Sequence, residues 1–248
     1  MKEYTVITGA SSGIGKAMAY TFAEKGHNLI IVARRKQLLD EIKRDIKGKH
    51  AVEVIVNEKD LSVEDNVRAF YGEIKASNVT LLINNAGFGD MNYVWDIDEK
   101  KVTQMIDLNI KALTLLSVWY TRDNKDKNVQ LINVASVVGY NVFSMGTPYS
   151  ATKFYVASFT EGLADNLCKA GAKMKAKILA PGPVATEFME VARQGSKMQG
   201  GSPGQMKFHS AEEMAGFAYR LYESDKVLGI VNVAKMEFEL KDPAYPVF

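Results

Sequence analysis

The sequence has 248 residues, 47% of them hydrophobic and 24% charged, which is enough apolar material for one buried core and the size of one α/β domain. With 31 Lys and Arg against 29 Asp and Glu, the net charge is only +2. No overall positive field exists to hold nucleic acid or an anionic membrane, so any anion site has to be local. No window approaches the roughly 18 consecutive apolar residues of a membrane helix. The first residues carry no basic leader or small-residue cleavage site, so the expectation is a cytoplasmic protein with neither nucleic-acid nor membrane partners. Cys168 is the only cysteine; it excludes an internal disulfide and reads as a small hydrophobe on a helix.

Short β-rich apolar runs at 4–8, 29–33, 52–56, 81–84, 129–136, 176–179 and 229–233 alternate with segments of helical period at 14–25, 36–47, 63–76, 99–120, 152–169 and 211–223. This alternation predicts the α/β class: a doubly wound Rossmann fold with a seven-stranded, mainly parallel sheet and helices on both faces. The strands are nearly continuous hydrophobic runs, as strands buried on both faces require. Gly26 suits the C-terminal cap of the first helix, and Ser62 with Asp65 and Ser210 with Glu213 have capping-box spacing. A single domain over 1–248 is expected, comprising a cofactor-binding and catalytic core at 1–187, a substrate loop at 188–210, and a last helix, strand and tail at 211–248. The glycine-rich stretch 193–209, with Pro203 and little apolar periodicity, reads as a mobile loop covering a ligand.

Thr8, Gly9, Ala10, Ser11, Ser12, Gly13, Ile14 and Gly15 follow the first strand and open the first helix, the context of a dinucleotide-binding turn. Lacking Cβ, Gly9 permits the tight turn, Gly13 lets backbone approach a pyrophosphate, and Gly15 lets helix and strand pack closely. The helix N-terminus then offers free N–H groups and positive dipole to phosphate. Residues 9–13 also fit the G-x-S-x-G elbow of a serine hydrolase, with Ser11 as nucleophile. Of the three histidines only His209 lies late enough for that chemistry, and an elbow on the first strand lacks preceding sheet for oxyanion donors. The second strand ends in Ala33, Arg34 and Arg35 with no acid to accept from ribose hydroxyls. Arginine there matches a 2′-phosphate, so NADP(H) is the expected cofactor, with Arg34 foremost.

Tyr149 and Lys153 stand four residues apart, on one side of a helical turn. A phenol titrates near 10, and a nearby ammonium lowers that value toward neutral pH by favouring phenolate. Tyr-x-x-x-Lys alone usually means a surface pair; it gains weight from Ser136 at the end of the fifth strand, Asn109 in the long helix, and Asn84 to Gly87 closing the fourth strand. Pro181, Gly182, Val184 and Thr186 follow the sixth strand, where rigid backbone and a hydroxyl can fix a nicotinamide carboxamide. All lie at the carboxyl ends of central strands, where a doubly wound sheet gathers its ligand.

These motifs, in order from Thr8 to about Phe188, resemble the short-chain dehydrogenase/reductase family in its compact single-domain branch. The resemblance implies that Ser136 hydrogen-bonds the substrate oxygen and Tyr149 exchanges the hydroxyl proton. It further implies that Lys153 binds the nicotinamide ribose and lowers the Tyr149 pKa. Asn109 would hold a water linking Lys153 to solvent while interrupting regular helix bonding. Asp60, with Leu61, matches the adenine contact, and Asn85, Ala86 and Gly87 the ribose-side loop. The implied activity is hydride transfer between NADP(H) and a small carbonyl or alcohol substrate, without a metal, in a homodimer or homotetramer. Val138, Tyr140, Phe143, Met145, Phe188 and Met189, with Phe88 and Met91 opposite, suggest an apolar wall for a ketone, aldehyde or diketone. A ketoacyl-thioester reductase and a noncatalytic NADP(H)-binding regulator are the alternatives. The tail from Pro243 ends in aromatics and could cross to a neighbouring subunit.

Overall fold

A computed structural model describes residues 2–193 and 207–246. Eight strands form one sheet: β1 (Glu3–Thr8), β2 (Asn28–Ala33), β3 (Val54–Glu58), β4 (Asn78–Asn84), β5 (Gln130–Val134), β6 (Lys175–Ala180), β7 (Leu228–Asn232) and β8 (Glu237–Lys241). Their order is β3-β2-β1-β4-β5-β6-β7-β8. Every pairing is parallel except β7 with β8. Successive residues of β2 show why both faces are apolar: Leu29 and Ile31 enter one core while Ile30 and Val32 enter the other.

On the first face lie α1 (Gly13–Glu24), α2 (Lys36–Lys49) and α8 (Ala211–Glu223), which bury Met18, Phe22, Leu39, Ile42 and Leu221. On the second lie α3 (Glu64–Lys75) and α5 (Leu113–Asn124), burying Val67, Phe70, Leu116 and Tyr120, with α6 (Thr147–Lys169) beside them. Fully burying each such side chain contributes about 1.5–3 kcal/mol. Asn133 ties α6 to the sheet by accepting from Asn84 at 2.9 Å and donating to Thr160 at 2.9 Å.

Several sequence expectations change. The eighth strand was not foreseen: β8 is a short antiparallel edge strand whose Phe238 and Leu240 pack against the first core. The segment expected to be one helix over 99–120 is α4 (Glu99–Ile106), a π-turn (Asp107–Ala112) and α5. A short α7 (Glu187–Arg193) occupies the start of the expected substrate loop, of which residues 194–206 lie outside the described residues. Ser210 and Glu213 form the expected capping box. Ser62 and Asp65 do not, because Asp60 accepts both the Ser62 amide and hydroxyl and holds Ser62 ahead of the helix. Gly26 follows α1 at φ +85° as expected. Cys168 is exposed on α6 rather than packed. Among the described residues, no helix is long and apolar enough to cross a membrane.

Candidate active site

β1 and β4 are neighbours, so the order reverses between them and opens a crevice at their carboxyl ends. Thr8, the last residue of β1, organises it. Its hydroxyl accepts the amides of Asn85 and Ala86, both at 2.9 Å, while the Asn85 side chain donates to the carbonyls of Thr8 at 3.0 Å and Gly9 at 3.4 Å. The turn is thereby stitched to the loop after β4. Gly9 has φ +69°, and a Cβ there would stand 2.8 Å from the Ala86 Cα; one on Gly15 would stand 2.3 Å from the Gly9 carbonyl oxygen. Neither position admits a larger residue.

The first turn of α1 holds no acid, and Ser12 at its N-cap does not cap it with its side chain. The free amides and positive end of the helix dipole therefore face the crevice, which suits an anion. Ser11 and Ser12 instead accept from Arg35, at 3.3 Å from Nε and 2.6 Å from Nη2. Arg35 also pairs with Glu187 at 3.2 Å. Arg34 is exposed and makes no ion pair or hydrogen bond among the described residues, so the cation brought to the glycine turn is Arg35, not the Arg34 that the sequence favoured. Thr186 stands opposite Gly13, 3.5 Å from where a Cβ would sit. It follows Pro181 and Gly182, and Val184 is fixed by a bridge to His209. Asp60 and buried Leu61 lie just past β3, with Asp60 half-buried and spanning Ser62 and Asn66. Ile14 packs into the first core.

The proposed chemical groups converge. Tyr149 and Lys153 rise from the first turns of α6, with the Lys153 ammonium 5.7 Å from the Tyr149 ring centre. Ser136 lies beside Tyr149, and its hydroxyl is 3.4 Å from both the Pro181 carbonyl and the Val138 amide. Lys153 is 5% exposed and donates to the Val134 carbonyl at 2.9 Å. Burial pulls its pKa down to about 8. Burial pushes the Tyr149 phenol well above its ordinary value, with neighbouring Ser136 working the other way. The expected lowering of the phenol by Lys153 does not emerge; desolvation dominates.

Asn109 sits in the π-turn, 1% exposed. Its amide donates to the Phe88 carbonyl at 2.9 Å and Thr152 at 3.1 Å, and accepts the Phe88 amide at 3.1 Å. All three bonds go to protein, so the side chain clips the β4 loop to α6. The π-turn is the interruption of regular bonding that the family resemblance implied. Gly87 closes the cluster: a Cβ there would lie 2.9 Å from Asn109 Oδ1 and 3.7 Å from the Lys153 nitrogen.

Around this centre, Phe188 lies 5.3 Å from Tyr149, ring to ring, and against Gly89. Two further groups hold α7 there: Met91, which the sequence placed on the substrate wall, and Asp90, which sequence reasoning missed. Met91 donates to the Ala192 carbonyl at 2.8 Å, and buried Asp90 pairs with Lys101 at 2.5 Å, whose ammonium reaches Val191 O at 3.5 Å. Nothing in their local sequence signals the contact. Tyr140 leaves the expected substrate wall, since its hydroxyl donates to Glu161 at 2.6 Å. Met145 is exposed. The tail does not need a neighbouring subunit as anchor, for Tyr245 docks within its own chain. Ser11 and His209 make no hydrolase couple: the Ser11 hydroxyl meets Arg35, and buried His209 contacts Met236 O at 3.2 Å and the edge of Phe217.

Comparison with known proteins agrees with this geometry. The sequence profile described as short chain dehydrogenase matches residues 3–197. An uncharacterized oxidoreductase of Staphylococcus saprophyticus is 34% identical over 193 residues, 76% of each chain. The human dehydrogenase/reductase SDR family member 11 is 29% identical over 191 residues, 74% of each chain. A short-chain dehydrogenase from Sphingobium yanoikuyae, solved in complex with NADPH, superposes with a TM-score of 0.81 at 27% identity, covering 94% of this chain and 90% of that one. The L-sorbose reductase of Gluconobacter frateurii, complexed with NADPH and L-sorbose, gives 0.75 at 27% identity, covering 88% of both. With the doubly wound sheet, the glycine turn and the convergent Asn109, Ser136, Tyr149 and Lys153 already in place, the match identifies the chain as a member of the short-chain dehydrogenase family.

Proposed function

We propose that the protein is an NADP(H)-dependent oxidoreductase that reduces a small apolar ketone, aldehyde or diketone, with Tyr149 as the acid. The observation that carries the reading is the meeting of half-buried Ser136 and Tyr149 with buried Lys153 in one cluster beside a glycine-lined crevice. The crevice fits a dinucleotide: Gly9 and Gly15, where no Cβ can be admitted, keep the turn tight against the loop after β4, and the uncapped start of α1 suits a pyrophosphate. When bound, the cofactor supplies hydride to the carbonyl carbon.

The chain's own residues do the rest. Ser136 donates to the substrate oxygen and Tyr149 passes it a proton. Because burial holds the phenol above its ordinary pKa, Tyr149 is protonated at neutral pH and ready to donate, which favours reduction over oxidation. Lys153, with a pKa of about 8, is still charged at neutral pH and gives one N–H to Val134. Its remaining donors serve the nicotinamide ribose and the charge that develops as Tyr149 loses its proton. Arg35, seated on Ser11 and Ser12, is the group offered to a 2′-phosphate; the NADPH in both similar structures supports that preference. Asp60 and Leu61 serve the adenine side, Pro181 to Thr186 the carboxamide side, and residues 188–210 the substrate. A homodimer or homotetramer, as the family resemblance implies, and a cytoplasmic location complete the proposal.

The test is Tyr149→Phe assayed by NADPH oxidation over a carbonyl panel. Loss of the proton donor lowers turnover about 10²–10⁴-fold while NADPH binding is retained. Turnover close to that of the parent would refute the role.

A further inference from the structure

Glu161 is a buried carboxylate, 1% exposed, two helical turns beyond Lys153 on α6, and the chemistry proposed above does not use it. One of its oxygens accepts from the Tyr140 hydroxyl at 2.6 Å and the other from the Tyr245 backbone amide at 2.8 Å. The Tyr140 and Tyr245 rings stack, 5.3 Å apart and 24° from parallel. The Tyr245 hydroxyl then donates to the Gly139 carbonyl at 2.5 Å. A tail residue 84 positions from Glu161 and 106 from Gly139 thus bonds both at once.

Gly139 and Glu161 belong to the two halves of the catalytic cluster. Gly139 lies in the short loop that starts at Ser136, and its backbone rests on the Lys153 peptide so closely that a Cβ would stand 2.5 Å from the Lys153 carbonyl oxygen. Glu161 lies on the helix that carries Tyr149 and Lys153. Within the loop, Ser150 donates to the Val138 carbonyl at 2.8 Å, a second tie of the same kind. One donor from the loop and one from the tail satisfy the two oxygens of the buried carboxyl group, which ties both segments to the helix.

We propose that Tyr245, acting through Glu161 and Tyr140, is a positioning residue that sets the distance between Ser136 and Tyr149. The inference rests on the proposed roles of those two residues. Proton transfer is sensitive to donor geometry, and displacement by about 1 Å can cost on the order of a hundredfold in rate. The strut therefore acts on the proton-transfer step and not on cofactor binding, because Tyr245 makes no bond to the glycine turn.

Tyr245→Phe keeps the ring stack and the amide bond to Glu161 and removes only the bond to Gly139. The expected result is a kcat about tenfold lower, a larger solvent deuterium isotope effect on kcat, and an NADPH Kd and melting temperature unchanged. Glu161→Gln replaces one accepting oxygen by an amide N–H, weakens the tie to Tyr140 or Tyr245, and likewise lowers kcat with the NADPH Kd unchanged. A kcat for Tyr245→Phe within about twofold of the parent, or an NADPH Kd that weakens in step with kcat, overturns the proposal. Tyr149→Phe run alongside separates the two ideas. Substantial turnover in that variant defeats the assigned chemistry itself, whereas an inactive Tyr149→Phe with a fully active Tyr245→Phe defeats only the strut.

Discussion

Lys153 and Lys177 make an instructive pair. Both are buried, at 5% and 1% exposure, and burial lowers both to a pKa of about 8. They differ in what their three N–H groups meet. Lys177, on β6, donates to the carbonyls of Leu221 and Tyr222 at 2.9 Å and Ser224 at 2.5 Å, closing the C-terminal end of α8. An ammonium has three donors and no more, so Lys177 is saturated, and it neutralises the negative end of a helix dipole. Lys153 meets one carbonyl and leaves its other donors toward Gly87 and Tyr149. A shifted pKa does not distinguish a working lysine from a structural one; the uncommitted donors do.

Replacement of each lysine by methionine tests this contrast. For Lys153→Met the expected turnover falls about 10²-fold or more, because the charge that assists Tyr149 is gone. Its melting temperature does not fall, since one carbonyl is orphaned but a buried charge is removed. Lys177→Met should do the reverse: turnover persists while stability drops about 1–3 kcal/mol, because three helix-end carbonyls lose their donor. Equal losses of stability in the two variants, measured by denaturant unfolding, would break the comparison.

The pH dependence of stability sharpens it. The folded value of Lys177, about 8, lies below its ordinary 10.5, so between these the unfolded chain holds more protons than the native one. Stability should rise with pH across that window, and Lys177→Met should lack that part of the rise.

A smaller effect probes where donor counting stops. Arg34 has the free donors, but Arg35 has the place, on Ser11 and Ser12. Placement predicts that Arg35→Ala weakens NADPH about tenfold and NADH by less than about twofold, with Arg34→Ala losing less for NADPH. If titration calorimetry shows Arg34→Ala as the costlier change, free donors outrank position.

Much of this was legible in the chain itself, for physical reasons. Strand β2 is buried on both faces, so its apolar run from Leu29 to Ala33 is unbroken, and glycines that cannot carry a Cβ announce the turn. Ser136, Tyr149 and Lys153 are close in sequence because one strand end and one helix start supply all three. What stayed hidden depends on contacts far apart in the chain. β8 alternates charged Glu237, Glu239 and Lys241 with apolar Phe238 and Leu240, the pattern of a half-exposed edge strand and unlike the continuous apolar runs of the buried strands. Adjacent arginines differ only in direction, which composition does not encode. Tyr245 reads as a loose aromatic until folding brings it to Glu161. Ser62 has capping spacing but is claimed first by Asp60.

The π-turn at Asp107–Ala112 carries a consequence for how this helix can vary. A wide turn of this sort is equivalent to one residue added to an α-helix. Deleting any one of the residues around Asn109 would restore even winding and leave α4 and α5 in phase, but would abolish the wide turn that presents Asn109. Asn109 could then no longer reach Phe88 and Thr152 together. The segment from Glu99 to Asn124 is thus locked in length: substitutions can be absorbed along it, whereas a gap of a single residue would disengage the clip.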